Sequence, residues 1–343
     1  MQRSVSACFR STMSTQLRTV CFGSNCEYQY EDRNFMGSGS FGEVYKASIT
    51  ERGNYVGPDV VAMRCFNIKE KKFVENRENY AKLQEGFETM LKLKHDHLVN
   101  YHKITIIPTL GSVTVNFIMD YYRAGNLESE LKKMKDSGIL LNVGDAICHA
   151  LDLASGLAFL HENGITHGDL KPSNVLIDGS NAQRGTLRIS DWDGLVTLQL
   201  CSVSSLNSEH FRSSERYMSP EMVRAIGPPE TLITWPTMPD SSTDVWSVGC
   251  VLLQLIRAIT GDYRETLQHP VSGKVLGASQ SISDWVYGVA VMQGFVPVVF
   301  DAAAVPAELA ACVRNCLRIA NNQRTSARQL LEHLSRISEN SGP

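Results

Sequence analysis

His167-Gly168-Asp169-Leu170-Lys171-Pro172-Ser173-Asn174-Val175-Leu176-Ile177 is the stretch on which the reading of this chain turns. It sets a carboxylate (Asp169), a cation (Lys171) and an amide (Asn174) within six residues, then runs into an apolar segment that suits a short strand. Asp191 follows Asn174 by 17 residues, directly after the strand-like Leu187-Arg188-Ile189-Ser190. Further on stand Tyr217-Met218-Ser219-Pro220-Glu221, Asp244-Val245-Trp246-Ser247-Val248-Gly249 and Asn321-Asn322-Gln323-Arg324-Thr325. A single polar loop could arise by coincidence; this ordered succession does not.

The chemistry these residues suit is specific. Transfer of a phosphoryl group to a hydroxyl needs a carboxylate to orient the nucleophile and take its proton, a cation near the transferring group, and oxygen ligands for Mg²⁺. Asp169, Lys171 and Asn174 supply those three roles within six residues. Working upstream, Met36-Gly37-Ser38-Gly39-Ser40-Phe41-Gly42-Glu43-Val44 is a glycine-rich turn. Without a Cβ, its backbone N–H groups can come close to phosphate oxygens. A dinucleotide fold needs a helix straight after the glycines, whereas Glu43–Ala47 continues as strand.

The periodicity divides the chain. Strands are expected over Asn34–Thr50, Val60–Ile68 and Leu98–Tyr122, with one helix over residues 70–94. Beyond Asn126 the pattern is helical over Leu127–Lys135, Val143–Asn163, Thr243–Ala258, Glu308–Ile319 and Ser326–Ile337. A small β-rich half followed by a larger helical half predicts an α+β, two-lobed protein. The expected division is a tail over 1–27, one domain over 28–337 with lobes 28–122 and 126–337, and a tail over 338–343.

With these motifs in order, the chain resembles the eukaryotic protein kinases from about residue 30 to residue 337. The resemblance implies the bilobal kinase fold, ATP and Mg²⁺ as cofactors, and a protein as substrate or as a regulated partner kinase. It implies Asp169 and Lys171 as catalytic residues and Asn174 and Asp191 as metal ligands. Nucleotide contacts would come from Gly37, Gly39, Gly42, Val44, Ala62, Arg64 and Leu176, with Met119 as gatekeeper and Asp120, Tyr121 and Tyr122 opening the hinge. Glu221 and Arg324 would form a buried ion pair, and Asp244 would tether the catalytic loop. Lys171 and Ser214 match the Ser/Thr pattern.

The departures fall at the chemistry. Val61-Ala62-Met63-Arg64 puts arginine where the family has lysine, and a planar guanidinium does not replace a compact ammonium between two phosphates. Gly42 holds the position from which a substitute lysine could enter. Gly86 falls where the helix glutamate that pairs with that lysine should be; Glu85 is adjacent, about 100° around the helix. Asp191-Trp192-Asp193-Gly194 has Asp193 in place of glycine, where a second carboxylate either binds metal or repels phosphate. Gly168 replaces the loop arginine that pairs with a phosphorylated activation segment. Two readings follow: an impaired or atypical Ser/Thr kinase, which is preferred, and a pseudokinase acting as scaffold or allosteric regulator.

The bulk properties are compatible with either. The 343 residues carry a formal net charge of −3, which gives no reason to expect nucleic acid as partner, and 43% are hydrophobic. Nine dispersed cysteines, none in a CxxC pair, suit a reducing, cytoplasmic setting without structural metal. No membrane span is expected, since Val286–Phe300 is short and broken by Gly288, Gly294 and Pro297. Residues 1–26 hold arginines, serines and threonines but no acid; a polar tail is preferred over a mitochondrial presequence. The Pro- and Trp-containing insert 225–240 is read as a long loop packed on the large lobe.

Overall fold

In the computed structural model, the described residues are 18–21, 27–30, 34–39, 42–51, 57–68, 77–109, 112–179, 184–194, 205–207, 215–226, 232–234, 239–277, 287–288, 290–291, 293–298 and 303–340. The chain forms two compact units, one of residues 1–94 with 100–122 and the other of 95–99 with 123–343.

Among its described residues the first unit is a seven-stranded antiparallel sheet with one helix. Its strands are β1 (Arg18–Cys21), β2 (Glu27–Tyr30), β3 (Phe35–Gly39), β4 (Gly42–Glu51), β5 (Val60–Ile68), β6 (Tyr101–Thr109) and β7 (Ser112–Asp120), and its helix is α1 (Arg77–Lys92). They order as β1-β2-β4-β5-β7-β6, with β3 hairpinned onto β4. Alternation along β5 and β7 sends side chains to opposite faces. One face buries Tyr28, Tyr30, Tyr45, Val61, Met63 and Ile118 as a cluster. The other carries Arg64 opposite Phe117 in the β5–β7 register. Phe87 of α1 meets the Phe117 ring edge-on at 5.3 Å, fixing helix to sheet.

Two details depart from the sequence reading. Arg18–Cys21, in the stretch read as tail, pairs with Glu27–Tyr30. Four residues are too few to show an alternation; the ladder partner makes the strand. The helix expected over 70–94 is observed over 77–92, and residues 69–76 lie outside the described ones.

The second unit is mainly helical, built on α2 (Leu127–Ser137), α3 (Val143–Glu162), α4 (Pro220–Ile226), α5 (Ser241–Thr260), α6 (Ala307–Cys316) and α7 (Ala327–Asn340). Side-chain oxygens start three of these helices: Asn126 accepts from Ser129 N, Asn142 from Gly144 N and Asp240 from Ser242 N. Gly138 and Gly261 end α2 and α5 in the left-handed region, φ 66° and 68°. The antiparallel hairpin of β8 (Val175–Asp178) and β9 (Thr186–Ile189) follows the loop 167–174, and β10 (Ser205–Asn207) pairs with β11 (Leu232–Thr234) of the insert. Short strands β12 (Leu267–Gln268), β13 (Val275–Leu276) and β14 (Val296–Pro297) form a small sheet. α3 and α5 are long and apolar enough to cross a membrane by composition, yet 61% and 83% of their apolar windows are buried, as core helices are.

Candidate active site

The loop 167–174 is held from below by one carboxylate. Asp244, in the first turn of α5, accepts the N–H of His167 and of Gly168, both at 2.8 Å, and the Nε2 of His161 lies 2.9 Å away. Gly168 sits at φ +77°, a region that glycine enters without steric cost. The buried His167 ring then links two segments. Its Nε2 lies 2.9 Å from the Ser190 carbonyl while its Nδ1 receives the Asp169 N–H at 3.2 Å, which assigns the proton to Nε2.

That frame brings together the residues the sequence singled out. Lys171 Nζ lies 2.9 Å from Asp169 Oδ2, and Asp169 is 6% exposed. Asn174 donates from Nδ2 to the Asp169 carbonyl at 2.8 Å and to Oδ2 at 3.3 Å. Ser190 returns the link, donating from N and Oγ to the Asn174 carbonyl at 2.9 and 3.1 Å. The carboxylate, the ammonium and the amide thus form one connected cluster next to Asp191. Asp191 adopts φ +56°, the one non-glycine residue in that region among the described residues. A left-handed conformation of this kind costs about 1–3 kcal/mol and is kept where the surroundings impose it. Trp192 supplies part of that constraint: its indole N–H donates to the Val99 carbonyl at 3.2 Å and its side chain is buried. Asp193 is wholly buried.

The amide oxygen of Asn174 and the carboxylate of Asp191 are hard oxygen donors of the kind Mg²⁺ takes, and Mg²⁺ keeps most of its ligands as water and phosphate. A dense His/Cys/Asp/Glu cluster, absent among the described residues, is not required for it. The donors fit the ion.

Lower in the unit, Arg324 grips Glu221 with two bonds of 2.5 and 2.7 Å and donates to the carbonyls of Arg318, Ile319 and Ser242. Leu176 bridges to Asn126. Ser214, Ser40, Phe41 and Trp235 lie outside the described residues.

The first unit holds the remaining candidates. In register, Val44 faces Arg64, Ala62 faces Met119 and Val61 faces Asp120. Gly39 and Gly42 close the β3–β4 hairpin. A Cβ on Gly42, at φ +114°, would stand 2.1 Å from the Cys65 carbonyl oxygen, so no side chain fits there. Lys46 Nζ lies over the Tyr121 ring at 5.1 Å. Arg64 is 2% exposed, its guanidinium carbon 4.4 Å from the Phe117 ring centre. Glu85 is exposed, and Gly86 lies beside the Phe87 that packs on the same ring.

Sequence reasoning missed the supports of Asp120. Burial works against its ionisation, but hydrogen bonds with His102 (2.6 Å), Asn100 (3.2 Å) and Tyr122 (3.1 Å) outweigh it and hold the pKa below the usual carboxylate value. His161 was missed as well. It lies 83 residues from its partner Asp244, and no spacing rule links them.

Comparison with known proteins agrees with this architecture. The protein kinase domain family matches residues 30–334, and the chain belongs to that family. It is 28% identical over 258 residues to the MAP kinase kinase kinase SSK2 of Saccharomyces cerevisiae, covering 68% of this chain and 15% of that protein. It is 25% identical over 302 residues to human mitogen-activated protein kinase kinase kinase 19, covering 87% of this chain and 19% of that protein. To the serine/threonine-protein kinase mos of Gallus gallus it is 24% identical over 322 residues, covering 89% of this chain and 80% of that protein. The chain therefore spans less than a fifth of the length of the first two relatives.

Proposed function

We propose that this chain transfers the γ-phosphoryl group of ATP to serine or threonine hydroxyls of a protein substrate, with weakened activity because its nucleotide-side cation is altered. The observation that carries the reading is the linked cluster of Asp169, Lys171 and Asn174 tied through Asn174 to Ser190 beside Asp191. Asp169 would orient the acceptor hydroxyl and take its proton. Lys171, 2.9 Å away, would oppose the charge that develops on the transferring group. Asn174 and Asp191 would hold Mg²⁺, which supplies charge neutralisation when bound. The backbone of Gly37, Gly39 and Gly42 would approach the phosphates. A loss of ~4 kcal/mol of transition-state stabilisation at the Arg64 position lowers the rate about a thousandfold, which leaves a slow enzyme.

A second reading, a kinase-fold regulator that transfers nothing, is favoured by Arg64 itself, packed on Phe117 with Gly86 where a glutamate partner is expected. The names of the similar yeast and human kinases support a place in a kinase cascade, the partner being another kinase; a cytoplasmic location is proposed from the dispersed cysteines alone. The domain is proposed to run over 28–337. Transfer of labelled γ-phosphate from ATP and Mg²⁺ to a generic basic protein tests the proposal. Transfer that vanishes in Asp169→Asn supports it; transfer unaffected by that change, or none from the native chain under activating conditions, rejects it.

A further inference from the structure

A cavity of about 660 Å³ lies within the second unit, and Pro172, three residues from Asp169, forms part of its wall. Lys132 and Lys135 line it from α2, and Arg257 from the last turn of α5. Arg257 is 5% exposed. Among the described residues its Nε and Nη2 have no hydrogen-bond partner, and the carboxylate of Glu265 is 3.9 Å from Nη1. Glu265 is itself held by Arg216 in an ion pair. The hydroxyl of Tyr263, on the same wall, is also buried with no hydrogen-bond partner among the described residues.

A buried guanidinium with two idle donors is costly, because water has been removed and nothing has replaced it. A phosphate or carboxylate is the natural complement, since its paired oxygens match the guanidinium fork. Neither idle nitrogen reaches solvent, so the end of the side chain must turn into the cavity, and no hydrogen bond at Nε or Nη2 opposes that turn. The Tyr263 hydroxyl adds a neutral donor, its pKa raised by burial. Of the lining carboxylates, Glu265 is committed to Arg216, and Glu128 and Asp136 share the lining with three cations, Lys132, Lys135 and Arg257.

We infer that this cavity binds an oxyanion on the peptide substrate, either the phosphate of a residue already phosphorylated or an Asp/Glu carboxylate, near the acceptor hydroxyl. The inference rests on the phosphotransfer reading for its location, because Pro172 ties the cavity to the loop that carries Asp169. Such a site makes the protein selective for acidic or pre-phosphorylated sequences.

The test is a nucleotide-free binding measurement on the full chain, native and Asp169→Asn. The probes are serine-centred peptide libraries with one position at a time fixed as phosphoserine, glutamate or alanine, with inorganic phosphate in a parallel arm. At one position the anionic residue should raise binding roughly tenfold or more over alanine, the value of charge-assisted bonds. Arg257→Met should abolish the preference while melting no lower than the native chain, since it removes an unsatisfied charge. Lys135→Gln, on the rim, should weaken the preference several-fold. Phosphoserine above glutamate assigns a phosphorylated residue; the reverse assigns a carboxylate. No anionic preference at any position, a preference unchanged by Arg257→Met and Lys135→Gln, or binding of phosphate alone would overturn the inference. Arg257-dependent binding in a chain that transfers no phosphate would reject the phosphotransfer reading only, and transfer without anionic preference would reject this inference only.

Discussion

The guanidinium of Arg64 lies 4.4 Å from the centre of the Phe117 ring, and Phe87 packs on that ring at 5.3 Å from the helix. Arg64 of the sheet and Phe87 of the helix thus meet on one ring, an aromatic and cation–π contact between helix and sheet. Arg64 is thereby a core residue, and its charge is drawn to the ring rather than held out as a free ammonium.

Replacing Arg64 by lysine is therefore expected to weaken the fold. A desolvated cation–π contact is worth up to about 2 kcal/mol, and lysine stacks less well than the planar guanidinium. Urea denaturation of Arg64→Lys should give a midpoint below that of the native chain, with an unfolding free energy lower by roughly 1 kcal/mol. An unchanged or higher midpoint would show that Arg64 is strained rather than stabilising.

Asp244→Ala should loosen the catalytic loop more than the helix that carries it. Two backbone N–H groups and His161 lose a charged acceptor, each such bond being worth about 1.5–3 kcal/mol. Hydrogen exchange at His167 and Gly168 should rise sharply, with smaller changes in the middle of α5.

Arg324→Ala leaves Glu221 without its bidentate partner and opens a gap under Trp246, over whose ring the guanidinium sits at 5.1 Å. A loss of about 3 kcal/mol is expected from breaking a pair whose arginine is buried. Calorimetry on Arg324→Ala and Glu221→Gln measures it, with the arginine change the larger.

Asp152 connects acid to stability. Burial raises its pKa, but His149, the Leu187 N–H at 3.0 Å, His97 and Arg184 together pull it below the ordinary carboxylate value. A carboxylate with a lowered folded pKa adds stability that is full above its unfolded pKa of about 3.9 and fades as pH falls through the lower folded value. The native chain should lose this increment as pH drops below about 4, and Asp152→Asn should lose less over the same range. Equal acid slopes for both proteins would count against the assignment.

The sequence already contained the fold and the catalytic loop, because strand alternation, helical periodicity and polar motifs within ten residues are local signals. Val60–Ile68 forms its strand with the expected limits, and Asp169, Lys171 and Asn174 meet as their spacing suggests. What was not legible depends on distant partners. The Arg18–Cys21 strand exists through pairing with Glu27–Tyr30, the His161–Asp244 contact spans 83 residues, and the Asp120 network joins Asn100, His102 and Tyr122. At Gly42 the residue's identity alone excludes a rescue lysine. The hairpin adds the physical reason, a carbonyl 2.1 Å from any Cβ.

The central claim is that the Asp169 cluster performs transfer while Arg64 serves the core of the first unit. The most direct measurement compares γ-phosphate transfer by the native chain and by Arg64→Met, a change that keeps an apolar stem against Phe117 and removes the charge. The account predicts rates within about threefold of each other, a barrier difference below ~1 kcal/mol. A loss of a hundredfold or more in a folded Arg64→Met protein would contradict it and return Arg64 to the phosphates.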